Sequence, residues 1–193
     1  MPENLIKRLG TPEIVGKIDV TVIKTKYEAL LNHFEDSTIL LDHLAYFGEA
    51  IFKNGIVAFV NPTDYEDLLN GFPKLRQQSI MPFAKTAMGN FYLIGEVDDE
   101  ICLAFYNIHT EEYSYVDYEF SLFFQTLFAN KLHMENEAYG HFEFPAVEQF
   151  GAVALDECLA FVPALVLDGE ENINNIQKVN LKEQLRLLAQ AFS

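Results

Sequence analysis

Basic side chains are scarce, and over one long stretch they are almost missing. From Thr86 to Gln177 only Lys131 is positive, against 17 aspartates and glutamates. The rest of the chain holds 12 acids and 12 bases, so the formal net charge of −16 sits wholly in that block. Such a field repels nucleic acid and anionic membranes and attracts basic partners. Tryptophan is absent, and the two cysteines, Cys102 and Cys158, stand far apart. That usage favours buried cytosolic thiols over a disulfide. Apolar runs are short too. The cluster FSLFFQTLF falls well below the roughly 20 residues of a membrane-spanning helix, and MPENLIKRLG lacks the form of a signal peptide. A soluble, cytoplasmic protein is expected, with neither nucleic acid nor membrane as partner.

The equipment of common chemistries is also lacking. The ten glycines are dispersed, with no G-x-G-x-x-G and no Walker motif to cradle phosphate. No G-x-S-x-G elbow is present, and neither cysteine has a recognisable reactive context. Acidic loops suggest calcium, yet the D-x-D-x-D-G spacing with a distal glutamate is missing. His33, His43, His109, His133 and His141 include no i, i+4 pair of the kind that binds zinc on a helix. His133, Glu135, Glu137 and His141 form the richest cluster, which reads as a polar loop between helices with a metal site as the rival. No catalysis and no cofactor are expected.

What is present is ample core. Half of the residues are hydrophobic, with 17 Phe and 9 Tyr, which sets this acidic chain apart from disordered ones. The first fifty residues read as helical. Val20, Ile23, Tyr27, Leu30, Leu31 and Phe34 form one stripe of steps of three and four, and Ile39–Phe47 a second helix ended by Gly48. Ile56–Val60 reads as a strand running into a helix with Asn61 as cap and Pro62 in its first turn. SIMPFA, FYLIGEV, ICLAFYNI and YSYV follow as strands, with turns at MGN, DDE and HTEE, an antiparallel meander. Asp117 is placed to cap a helix whose Phe120, Phe123, Phe124, Leu127 and Phe128 share a face that packs on the sheet. Asn180 and Glu183 form a capping-box-like pair before a last amphipathic helix, LKEQLRLLAQAF. The class is α+β: N-terminal helices, a central antiparallel meander packed against helices, and a C-terminal amphipathic helix.

Three acid runs fall in expected turns: Asp98-Asp99-Glu100, Glu111-Glu112, and Asp168 with Glu170 and Glu171. Each taken alone reads as a solvated loop. Taken together, turns gathered at one end of a meander would merge into a patch that steers a basic partner. These eight residues are the candidate partner-binding set.

Two segments bear a family likeness. LGTPEIVGKIDVTVIKTKYEALL with NGIVAFVNPTDYEDLL resembles the GAD-like N-terminal region of certain bacterial proteins. FGAVALDECLAFVPALVLDGEENINNIQKVNLKEQLRLLAQ resembles the C-terminal domain of type VI secretion immunity proteins, through Asp156, Glu157, Phe161–Leu165, Gly169 and Asn175–Lys178. PFAKTAMGNFYLI is similar to that family's strand pair, with Gly89-Asn90 where the family has Gly-Asp, Leu93 or Ile94 where it has Trp, and Asp168 in place of a Gly. The resemblance spans nearly the whole chain and implies kinship with the broad SUKH class. It implies one compact unit, 1–193, with a GAD-like region over 1–70 and an immunity-type region over 71–193. It also implies a non-catalytic protein that neutralises a cognate secreted toxin, often a DNase. The alternative is a SUKH-like regulatory or scaffold module that binds a host protein or peptide.

Overall fold

A computed structural model describes residues 2–117, 119–128, 130 and 140–193. Its centre is a seven-stranded antiparallel meander: β1 (Glu13–Gly16), β2 (Glu49–Phe52), β3 (Val57–Phe59), β4 (Met81–Thr86), β5 (Phe91–Val97), β6 (Glu100–Asn107) and β7 (Glu112–Asp117), side by side in chain order. A separate two-stranded ribbon pairs β8 (Glu157–Phe161) with β9 (Ile176–Asn180). Helices and sheet mix as the α+β class requires, and helix Leu181–Ala191 closes the chain.

Antiparallel sheets often leave one face to water; here the middle strands are covered on both. β4 is buried along its whole length. On β5, Tyr92 and Ile94 join one apolar cluster with Phe59, Phe83, Phe105, Phe120, Phe123, Phe124 and Phe128. Phe91 and Leu93 join another on the opposite face with Tyr65, Leu69, Phe72, Leu185 and Leu188. The pleat turns successive side chains to opposite faces, and each face has its own lid of helices.

The N-terminal fifty residues depart from the helical expectation. Helix Pro2–Leu9 is followed by β1, and β2 follows Gly48. EIVG and EAIF are each four residues, too short to show alternation, and only pairing reveals them (Ile14 opposite Ala50). The Val20–Phe34 stripe is real but broken. Asp19 caps Val20–Lys26 through Thr21 N and Val22 N, the helix ends at Tyr27, and Glu28–Leu31 forms a further turn. Tyr27 donates its hydroxyl to Glu66 Oε2 at 2.7 Å, which ties this region to helix Glu66–Leu69.

Asp117 does not cap the phenylalanine-rich helix. Its Oδ1 accepts from Glu119 N, while Asp36, 84 residues upstream of Phe120, accepts from Phe120 N at 3.1 Å and Ser121 N at 2.7 Å. The segment then winds as a π-helix over Phe123–Leu127. Arg8 adds a tether by donating to the carbonyls of Phe124 and Gln125, each at 2.8 Å.

Candidate functional site

The acid runs are set by hairpin geometry. Asp98 and Asp99 are the two loop residues between β5 and β6, with φ of 53° and 66°, the left-handed pair of a tight hairpin. They and Glu100 are exposed. Glu112 pairs with Asn107 at the other end of β6. Successive turns of a meander alternate ends, and seven residue steps of about 3.3 Å set Glu100 and Glu112 roughly 23 Å apart. Glu111 turns inward: it is only 7% exposed, and its Oε1 accepts from Lys74 N at 3.2 Å. Its charge also helps burial raise the Tyr106 phenol pKa. Asp168, Glu170 and Glu171 are exposed in the β8–β9 connection. Asp168 has φ 61°, ψ 24°, a left-handed site that aspartate tolerates better than most residues and where the resembling family has glycine.

The ribbon that carries this last run joins the sheet at the Glu111 end. Leu159 N donates to Ala87 O, and Phe161 packs edge-on to His109 at 5.5 Å. A buried polar knot organises that end. Ile108 N donates to Asn90 Oδ1, Met88 N to Glu143 Oε1, and His109 Nε2 to Met88 O. Gly89, at φ 80°, sits where a Cβ would press on Ile108, Cys158 and Leu181. The eight acids therefore divide between two ends of the sheet, with Glu111 spent on the interior.

A broad concavity lies elsewhere, at the β1–β2 edge. About 760 Å³ in volume, it is floored by the sheet face carrying Glu13 and Val15 from β1 and Glu49, Ile51 and Lys53 on and just after β2. The period of two puts those residues on one face, while Ala50 and Phe52 turn into the core. Residues 152–156 form one wall, and Asp64, Tyr65 and Lys182 the other. The 152–156 wall is pinned by Val153 N donating to Asn54 O at 2.9 Å and by the buried Lys85, which donates to Ala154 O at 3.2 Å and Glu157 O at 2.7 Å. Gly55 (φ 94°) permits the approach, since a Cβ there would collide with the Val153 carbonyl.

Four carboxylates, Glu13, Glu49, Asp64 and Asp156, face this cleft against two lysines, Lys53 and Lys182. Three of the carboxylates, Glu49, Asp64 and Asp156, act together on Tyr65. Burial raises the Tyr65 phenol pKa first, and then Glu49, Asp64 and Asp156 each raise it further. The Glu49 carboxyl is also held above its ordinary range by burial, with Asp64 adding to the shift and the Asn61 N–H and Lys182 opposing it. The cleft can hold cationic groups against a partly apolar floor. Sequence reading missed it because Glu13, Glu49, Asp64 and Asp156 come from four separate segments with no shared local signal.

Among the described residues, no group of three or more His, Cys, Asp or Glu side chains is arranged to hold a metal ion. Of the histidine-rich cluster, His133, Glu135 and Glu137 lie outside the described residues, and His141 is exposed and packed on Phe142. Cys102 and Cys158 are buried free thiols; burial lifts their pKa values to about 11 and about 12, which disfavours the reactive thiolate. No described helix is long and apolar enough to cross a membrane.

Comparison with known proteins adds two findings. The crystal structure of Atu4351 from Agrobacterium tumefaciens matches 99% of this chain and 89% of its own, with a TM-score of 0.72 and 19% identity, a likeness of fold. No curated protein matches the chain in sequence. Residues 117–191, from the end of β7 through the ribbon to the last helix, match the family described as T6SS immunity protein Tdi1, C-terminal, so this part of the chain is similar to a type VI secretion immunity domain.

Proposed function

We propose that the protein is an immunity protein that binds a cognate secreted toxin and neutralises it by occlusion, with no turnover of its own. The family match over residues 117–191 carries this reading. The toxin is a basic nuclease of the DNase type. A nuclease must present positive charge to phosphate, and a chain of net charge −16 occupies such a groove as a competitor. Binding takes place in the cytoplasm of the producing cell, where a DNase would meet its substrate. The GAD-like region, 1–70, and the immunity-type region, 71–193, work as one SUKH-like unit. Support for that unity comes from the Asp36 cap on Phe120 and Ser121 and from Arg8 on Phe124 and Gln125.

The deciding experiment is co-expression with the toxin encoded beside the gene. Growth rescue, together with a complex that loses affinity as salt rises, is the expected result. Failure to rescue sinks the immunity reading. Capture of a host protein with no nuclease activity would favour a regulatory or scaffold role. Rescue by a complex whose affinity is flat in salt would retain immunity and discard the electrostatic mechanism.

A further inference from the structure

We propose that the cleft beside β1, together with the free edge of that strand, seats an extended lysine- or arginine-bearing segment of the toxin. This rests on the immunity reading and specifies where and how the partner docks.

β1 is an outer strand, and among the described residues no strand pairs with its far side. Its unpaired N–H and C=O groups are a template for one more strand. The strand also holds apolar residues in the open, Ile14 at 57% and Val15 at 46% exposure. The pairing with β2 shifts register between Ile14 and Gly16, so the usable edge is short. A guest strand gains few backbone bonds there, and its side chains must supply the rest. Geometry provides for this. A strand laid along β1 turns every second side chain to the face that bears Glu13 and Val15, above Glu49, Asp64 and Asp156. Charge selects the occupant. A second copy of this chain would bring the same carboxylates and a net charge of −16 to an already negative cleft, whereas a segment alternating basic and apolar residues turns its cations to the carboxylate-bearing face and its apolar side chains to the opposite face, on the side of the exposed Ile14.

The test compares two triple reversals of equal charge in the full chain. Glu13→Lys with Asp64→Lys and Asp156→Lys alters the cleft; Asp98→Lys with Asp99→Lys and Glu100→Lys alters the far hairpin. All six residues are exposed, and thermal melting verifies folding. Against the neighbouring-gene toxin, the cleft triple should bind roughly 100-fold more weakly than wild type and the hairpin triple less than about tenfold. Equal losses in the two overturn the cleft while leaving immunity intact. If wild type ignores the toxin, the immunity reading fails, and a peptide of alternating lysine and valine then decides the cleft by amide-shift mapping. Shifts confined to residues 13–17, 49–54 and 152–156, and erased by the cleft triple, sustain the proposal; shifts elsewhere, or none, overturn it. A wild-type dimer that the cleft triple dissociates would assign the edge to a second copy and also overturn it.

Discussion

Lys85 and Glu143 show how buried charge is tolerated at single positions. Lys85 is 0% exposed, and burial lowers its pKa to about 8, although Cys158, Glu157, Asp156 and Glu143 oppose the shift. It persists because its ammonium donates to the carbonyls of Ala154 and Glu157 beside the cleft. Lys85→Met should strand both acceptors and loosen the 152–156 wall, costing about 2–4 kcal/mol in denaturant unfolding. Glu143 is raised from 4.5 to about 8 by burial, against the bond from Met88 N and the charge of Lys85. The native state therefore holds a proton that the unfolded chain releases above pH 4.5. The benefit is full below 4.5 and is lost as pH climbs through about 8. Glu143→Gln should flatten that limb and raise stability at pH 8 by at least about 1 kcal/mol, measured as the midpoint of thermal or urea unfolding against pH. His109 works in the opposite sense. Burial lowers its pKa from 6.5 to about 4, so its contribution is intact above 6.5 and disappears as pH falls through 4.

Among elements, the Phe120–Leu122 turn and its π-helical continuation depend on a distant cap. Glu119 stands at the N-cap with no side-chain bond, and the Asp36 carboxylate supplies both acceptors. Asp36→Ala should cost about 1–2 kcal/mol and expose Phe120 and Phe124, read by urea unfolding and by binding of a hydrophobic dye. Asp117 accepts from Glu119 N, one residue before the helix begins at Phe120, and so does not stand in for that cap. Local pattern pointed to Asp117 because it immediately precedes the phenylalanines. Only the fold brings Asp36 closer to the exposed amides. β1 and β2 were illegible for a related reason: four residues cannot display a period, and their identity as strands lies in each other.

On the scale of the molecule, charge governs encounter. If the proposed partner is a basic toxin, the net −16 should make association fast at low salt, and the association rate should fall roughly tenfold or more between low and high salt while dissociation changes little, measurable by stopped flow. The linear acidic block does not map onto one surface. Asp98–Glu100 lie at one end of the sheet, Glu112 at the other, and Glu111 in the interior. The cleft, about five strand spacings from β6, or roughly 24 Å, takes Glu13, Glu49 and Asp64 from the part of the chain whose charge sums to zero.

Composition, periodicity and turn chemistry were enough to determine the α+β class, the order and turns of the four strands β4–β7, the Gly48 helix stop, the Asn180 cap and the buried phenylalanine face. All of these are written within a few neighbouring residues, which is the range over which propensity and pleat act. The immunity-type segment was legible as well, since its signature is contiguous. Tertiary structure decided which acids meet. Side chains 15 to 143 residues apart converge at the cleft only because β1 pairs with β2 and the 152–156 wall is pinned by Lys85 and Asn54. Electrostatic potential depends on distance through space, and distance along the chain does not fix it.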